Sequence, residues 1–112
     1  MSKCKLEFIL KMIDDIEFIL SKHTSITESL NDRISKPAIM MSLLQLGEVM
    51  SKIDFENEFL SASAKGDYNV RNFIAHDYEG INLAIIENIL RTLLKPLKVE
   101  IEQELKRDEN GK

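Results

Sequence analysis

Positions 71 to 78 read Arg71-Asn72-Phe73-Ile74-Ala75-His76-Asp77-Tyr78, which places a guanidinium, an amide, an imidazole and a phenol close together in the chain. Arginine carries a permanent charge on a planar fork of donors that suits phosphate oxygens. Histidine gives and takes protons near neutral pH. Together they can cut a phosphodiester without a metal: an imidazole takes the proton of an RNA 2′-hydroxyl, an acid protonates the leaving 5′-oxygen, and Arg71 neutralises the charge building on the phosphoryl oxygens. Such chemistry needs the 2′-hydroxyl, so RNA is the expected substrate and DNA is not. Asp77 alone does not make a metal site, and neither a metal nor a cofactor is expected.

Helix geometry limits what one copy can do. Asn72 and His76 stand one turn apart and share a face. Arg71 and Tyr78 nearly align at seven residues. Arg71 and His76 are separated by roughly 7.5 Å along an ideal axis and diverge by roughly 140°. An end or bend of the helix near His76 would bring them to one point; otherwise a flexible arginine closes part of the gap and a second copy related by a twofold axis closes the rest. The same residues also have plain structural uses: a histidine near a helix C-terminus complements the dipole, Asn72 can hold a turn, and Tyr78 can be an amphipathic core residue.

The elements that must position these groups read as helical. The chain has 112 residues, 44% hydrophobic and 6% aromatic, with two prolines and four glycines. This fits one domain over 1–112, with a core from about 3 to 105 and a charged, frayed tail over 106–112. Net charge is −4, which argues against non-specific binding of duplex nucleic acid but leaves room for a local phosphate site. The single cysteine, Cys4, has no internal disulfide partner and no zinc spacing around it, and reads as a small, partly buried hydrophobe. No apolar run approaches the ~20 residues of a membrane span, and the N-terminus does not resemble a cleaved signal peptide. A reducing, cytoplasmic setting is expected.

Leu6, Ile9, Ile13, Ile16 and Leu20 predict an amphipathic helix from Lys3 to Lys22, widened by Phe8, Met12 and Ile19 until it touches two neighbours. Residues 23–36 predict a polar loop with a short helix around Thr27–Arg33, and His23 reads as a surface residue. Ile39, Leu43, Leu46, Met50 and Ile53 predict a helix from Lys36 to Ile53, with Ser35 as cap, Pro37 in the first turn and Gly47 at a close helix approach. The pattern blurs from Asp54 to Lys65, where Phe55, Phe59 and Leu60 could pack a short helix or an irregular connection. Gly66-Asp67 then starts the helix carrying the Arg71–Tyr78 run. A last helix from Asn82 to Leu105 has Leu83, Ile86, Leu90, Leu93, Leu97 and Ile101 as its inner face and a kink at Pro96. The expected fold is an all-α, up-down bundle of four to five helices with a kinked C-terminal helix.

The run from Arg71 to Tyr78 resembles the Arg-x4-His-x-Tyr signature of HepT-like proteins of the HEPN superfamily. Leu46-Gly47-Glu48 on the second long helix and Leu94-Lys95-Pro96-Leu97 on the last match that family's layout, over about residues 3–105. The resemblance implies a HEPN-like bundle and a homodimer whose signatures line a shared cleft. It further implies a ribonuclease toxin of a type II toxin–antitoxin pair, acting on RNA and in relatives on tRNA, and a minimal nucleotidyltransferase antitoxin as partner. Carried over, Arg71 and His76 are the catalytic pair, Asn72 a supporting polar residue, and Tyr78 the tyrosine that the antitoxin adenylylates. Glu48 is a recurrent acid that either orients Arg71 or His76 or faces solvent. Two departures stand out: Pro37 lies where relatives continue a helix, and the stretch from Asp54 to Gly66 lacks a tryptophan-containing element. The alternative is a non-catalytic helical module that binds a nucleotide or assists a nucleotidyltransferase.

Overall fold

The computed structural model describes residues 3–53, 55, 58–63 and 83–110, all-α as the sequence predicts, with no strand among them. Helix α1 (Lys3–Ser21) buries Leu6, Ile9, Met12, Ile13 and Ile16. Burial of each such side chain contributes roughly 1.5–3 kcal/mol. Phe8, Ile19 and Leu20 are partly buried against the same core. α1 packs along both α3 and α6, defined below, which accounts for its wide apolar surface. Cys4 is exposed rather than partly buried. At ~100° per residue it points about 140° away from Ile9, on the polar side of the helix.

Helix α2 (Ile26–Asn31) is a single short element where the sequence predicts one around Thr27–Arg33. Its start is set by Ser25, whose Oγ accepts the Glu28 N–H at 3.0 Å. Helix α3 (Ser35–Met50) buries Ile39, Met40, Leu43, Leu46, Gly47 and Met50. Gly47 is buried on a helix that lies along α1, consistent with the close approach its missing side chain permits. Ser35 is not the cap. The backbone is already helical at Ile34, and the Asp32 carboxylate accepts the N–H groups of Ile34 at 3.0 Å and Ser35 at 2.8 Å. Asp32 reaches these orphan donors because it stands outside the turn, whereas Ser35 lies within it. The helix ends at Met50, and Ile53 is only half-buried.

Helix α4 is described over 58–63, with Leu60 and Ser63 buried and Phe59 exposed, while Phe55 before it is buried. The C-terminal part comprises α5 (Leu83–Thr92) and α6 (Leu94–Asn110), which meet at Leu93. The predicted kink is therefore a helix boundary. Pro96 has no N–H for the Thr92 carbonyl, and α5 ends at Thr92. The bonds Leu93 N–H to Ile89 O and Leu97 N–H to Leu93 O, each 2.9 Å, carry the chain through the bend. Leu94 is buried and Leu93 only half-buried, with Ile86, Leu90, Leu97 and Ile101 completing the inner face. α6 continues past Leu105 to Asn110.

Charged contacts join the layers. Lys98 on α6 reaches Asp14 at 3.1 Å and Glu17 at 3.4 Å on α1. The bonds to Asp14 and then Glu17 raise the Lys98 pKa above its ordinary value. The Glu87 carboxylate on α5 accepts from Arg91 and, at 2.9 Å, from the Thr27 hydroxyl on α2. Arg91, followed by Thr27, holds the Glu87 carboxyl below the usual range.

Candidate active site

Arg71, Asn72, His76 and Tyr78 lie outside the described residues, between the helical turns at 58–63 and the start of α5. Both flanks of that segment enter the core: Leu60 and Ser63 are buried on one side, and Ile86 on the other.

Glu48 is the predicted site residue whose surroundings are described. It stands on α3 one residue beyond buried Gly47, and its side chain is about two-fifths exposed. Its Oε2 lies 3.7 Å from the Lys52 Nζ one turn further on. Glu48 also lines a groove of about 420 Å³ with Phe8 of α1 and with Leu44, Gln45 and Val49 of α3. The carboxylate therefore sits at the edge of an apolar depression rather than free on an open surface.

A second polar constellation was not legible as such in the sequence. His23 is only 15% exposed in its side chain and joins two helices. Its Nε2 lies 2.8 Å from the Ser35 Oγ, and its Nδ1 lies 3.4 Å from a Glu28 oxygen. The same Glu28 oxygen accepts the Thr24 N–H at 2.8 Å and the Thr24 hydroxyl at 3.3 Å. The Thr24 N–H is the main reason the Glu28 carboxyl sits below its ordinary pKa, and the Ser35 N–H, then that of Ile34, does the same for Asp32. Serine, imidazole and carboxylate in this order could in principle relay a proton to a nucleophile. The amides at the start of α3 that could hold an oxyanion are instead occupied by Asp32. The cluster therefore serves as a latch joining the end of α1, α2 and the start of α3. Its signal in the sequence is a pair of capping patterns, Ser25-x-x-Glu28 and Asp32-x-x-Ser35, on either side of a short helix.

Among the described residues, no three of His, Cys, Asp and Glu gather closely enough to hold a metal ion. No helix among them is long and apolar enough to cross a membrane.

An all-α bundle with a broken C-terminal helix, in a chain whose sequence carries an Arg-x4-His-x-Tyr run, defines the class: a HEPN-type helical protein. The family model described as ribonuclease HepT-like matches residues 9–104, most of the chain and the whole of that run. The chain belongs to the HepT-like ribonuclease family. No curated protein matches it, and no solved structure does.

Proposed function

We propose that the protein is a metal-independent endoribonuclease that acts as the toxin of a type II toxin–antitoxin pair in the cytoplasm, with Arg71 and His76 working across a homodimer cleft. The observation that carries the reading is the intact Arg71-x4-His76-x-Tyr78 signature inside the family match over 9–104. His76 takes the proton from the 2′-hydroxyl of RNA, possible substrates including tRNA. The 2′-oxygen bonds to phosphorus, the bond from phosphorus to the 5′-oxygen breaks, and the second copy's His76 protonates that leaving oxygen. The products are a 2′,3′-cyclic phosphate and a 5′-hydroxyl. Arg71 stabilises the phosphoryl charge, Asn72 supports its placement, and Glu48 orients Arg71 or His76. Purified protein is expected to cleave RNA in EDTA, and His76→Ala to abolish cleavage. Equal cleavage by the variant removes His76 from the mechanism.

Control falls to Tyr78. A minimal nucleotidyltransferase antitoxin transfers AMP from ATP to the Tyr78 hydroxyl and releases pyrophosphate. The added bulk and negative phosphate beside Arg71 compete with substrate phosphate. Mass spectrometry after incubation with such a partner and ATP is expected to place AMP on Tyr78. Undiminished labelling of Tyr78→Phe reassigns the modified residue.

The net charge of −4 favours a second reading, a non-catalytic module that binds a nucleotide or assists the nucleotidyltransferase. Firm partner binding without RNA cleavage or toxicity decides for it.

A further inference from the structure

Phe8 lies off the buried stripe of α1. Leu6, Ile9, Ile13 and Ile16 are fully buried, whereas Phe8 is half-buried and forms one wall of the groove of about 420 Å³ beside Leu44, Gln45, Glu48 and Val49 of α3. Leu44 and Val49 are half-buried and Gln45 is exposed. An apolar lining with a few polar groups is typical of a small-ligand site, and the volume falls in the usual range of roughly 300–1,000 Å³. We infer that this groove holds one unstacked base of a single-stranded RNA, adenine by preference, with Phe8 and Gln45 as its specificity residues.

Three features select a base over other occupants. The Phe8 ring offers a π-face on which a splayed-out base can stack, and Leu44 and Val49 add apolar contact around it. The Gln45 carboxamide sets a donor beside an acceptor. Its Nε2–H can donate to adenine N7 while its Oε1 accepts from the N6 amine; guanine presents two acceptors on that edge and so leaves the amide donor and acceptor mismatched. Charge supplies the third feature. Lys5 and Lys11 are exposed and stand one turn before and one turn after Phe8, placed for the phosphates on either side of the base. Glu7, also exposed, lies about 100° round the helix from Phe8. Glu48 keeps its 3.7 Å contact with Lys52 and takes no part in holding the base. It serves only to locate the groove, since the acid assigned to the reacting groups stands at its edge.

The inference deepens the proposed function and rests on it, because it names the base that the nuclease would read next to the linkage it cuts. The test uses the full chain and two labelled 2′-O-methyl heptamers that cannot be cut, one all uridine and one with a central adenosine. Fluorescence anisotropy is expected to show the adenosine strand binding roughly tenfold tighter than the all-uridine strand. Gln45→Ala is expected to erase that difference, and Phe8→Leu to weaken both strands roughly tenfold, with helical circular dichroism unchanged. Gln45 is exposed, so its variant decides even where Phe8→Leu unfolds. Equal affinity of the parent for the two strands, or an adenosine preference that survives Gln45→Ala, overturns the groove as a base site. So does strand binding indifferent to both substitutions while a protein partner's binding is lost, which marks a protein contact instead. Cleavage of ordinary RNA separates the two ideas. Adenosine binding that is lost in Gln45→Ala, with no cleavage by the parent, overturns the nuclease and keeps the groove. Cleavage without base preference, equal in parent and Gln45→Ala, does the reverse.

Discussion

Asp32 governs the start of α3 through one carboxylate oxygen that accepts two amide N–H groups. Asp32→Ala leaves those donors without their acceptor and is expected to lower the urea midpoint at unchanged slope. Its pKa and those of Glu28 and Glu87 are lowered in the folded chain. A lowered carboxyl adds stability above its unfolded pKa and loses it as pH falls through the folded value. The melting temperature is therefore expected to hold near neutrality and to fall as pH drops below about 4, the ordinary carboxylate range. Part of that acid loss is expected to vanish in Asp32→Ala. A melting curve equally acid-sensitive in parent and variant excludes Asp32 as a contributor.

At the scale of elements, both prolines obey one rule. Pro37 is the third residue of α3 and Pro96 the third of α6. Amides in a first turn have no intrahelical acceptor, so a residue lacking one is tolerated there. Pro96→Ala is therefore expected to change stability by less than about 1 kcal/mol, not the ~3 kcal/mol that separates proline from alanine in a helix interior. A gain near that larger value in chemical denaturation shows that the chain strains to bend at Leu93. The apolar spacing made α1 and α3 legible to within a few residues. The end of α5 was less so, because proline marks the neighbourhood of a break while packing chooses its residue. Leu94 is buried in place of Leu93 for that reason.

For the whole molecule, α1 is the element on which the others converge: α3 and α6 pack along it, and Lys98 reaches across to Asp14 and Glu17. Ile13, fully buried on α1, is expected to cost 2–5 kcal/mol when replaced by alanine, through lost transfer energy and the cavity left behind. Lys98→Ala is expected to cost less than about 1 kcal/mol, since its partners are accessible to water. Denaturation of both variants checks the contrast, and a larger loss from Lys98→Ala shifts the weight from apolar packing to charge.

The signature, the all-α class and the inner stripes of α1 and α3 follow from residue order, because periodicity and residue chemistry are local properties of the chain. Cys4 on the outer side of α1 belongs with them, since its angle from Ile9 could have been counted. Local order does not decide which residues from distant segments meet. His23 looked like loop surface until the fold brought Ser35 and Glu28 to its two nitrogens. Glu48 read as an acid that either orients Arg71 or His76 or faces solvent, and only the fold set Phe8 of another helix beside it to close a groove. Those neighbours are set by how the helices stack, and only the tertiary structure carries that information.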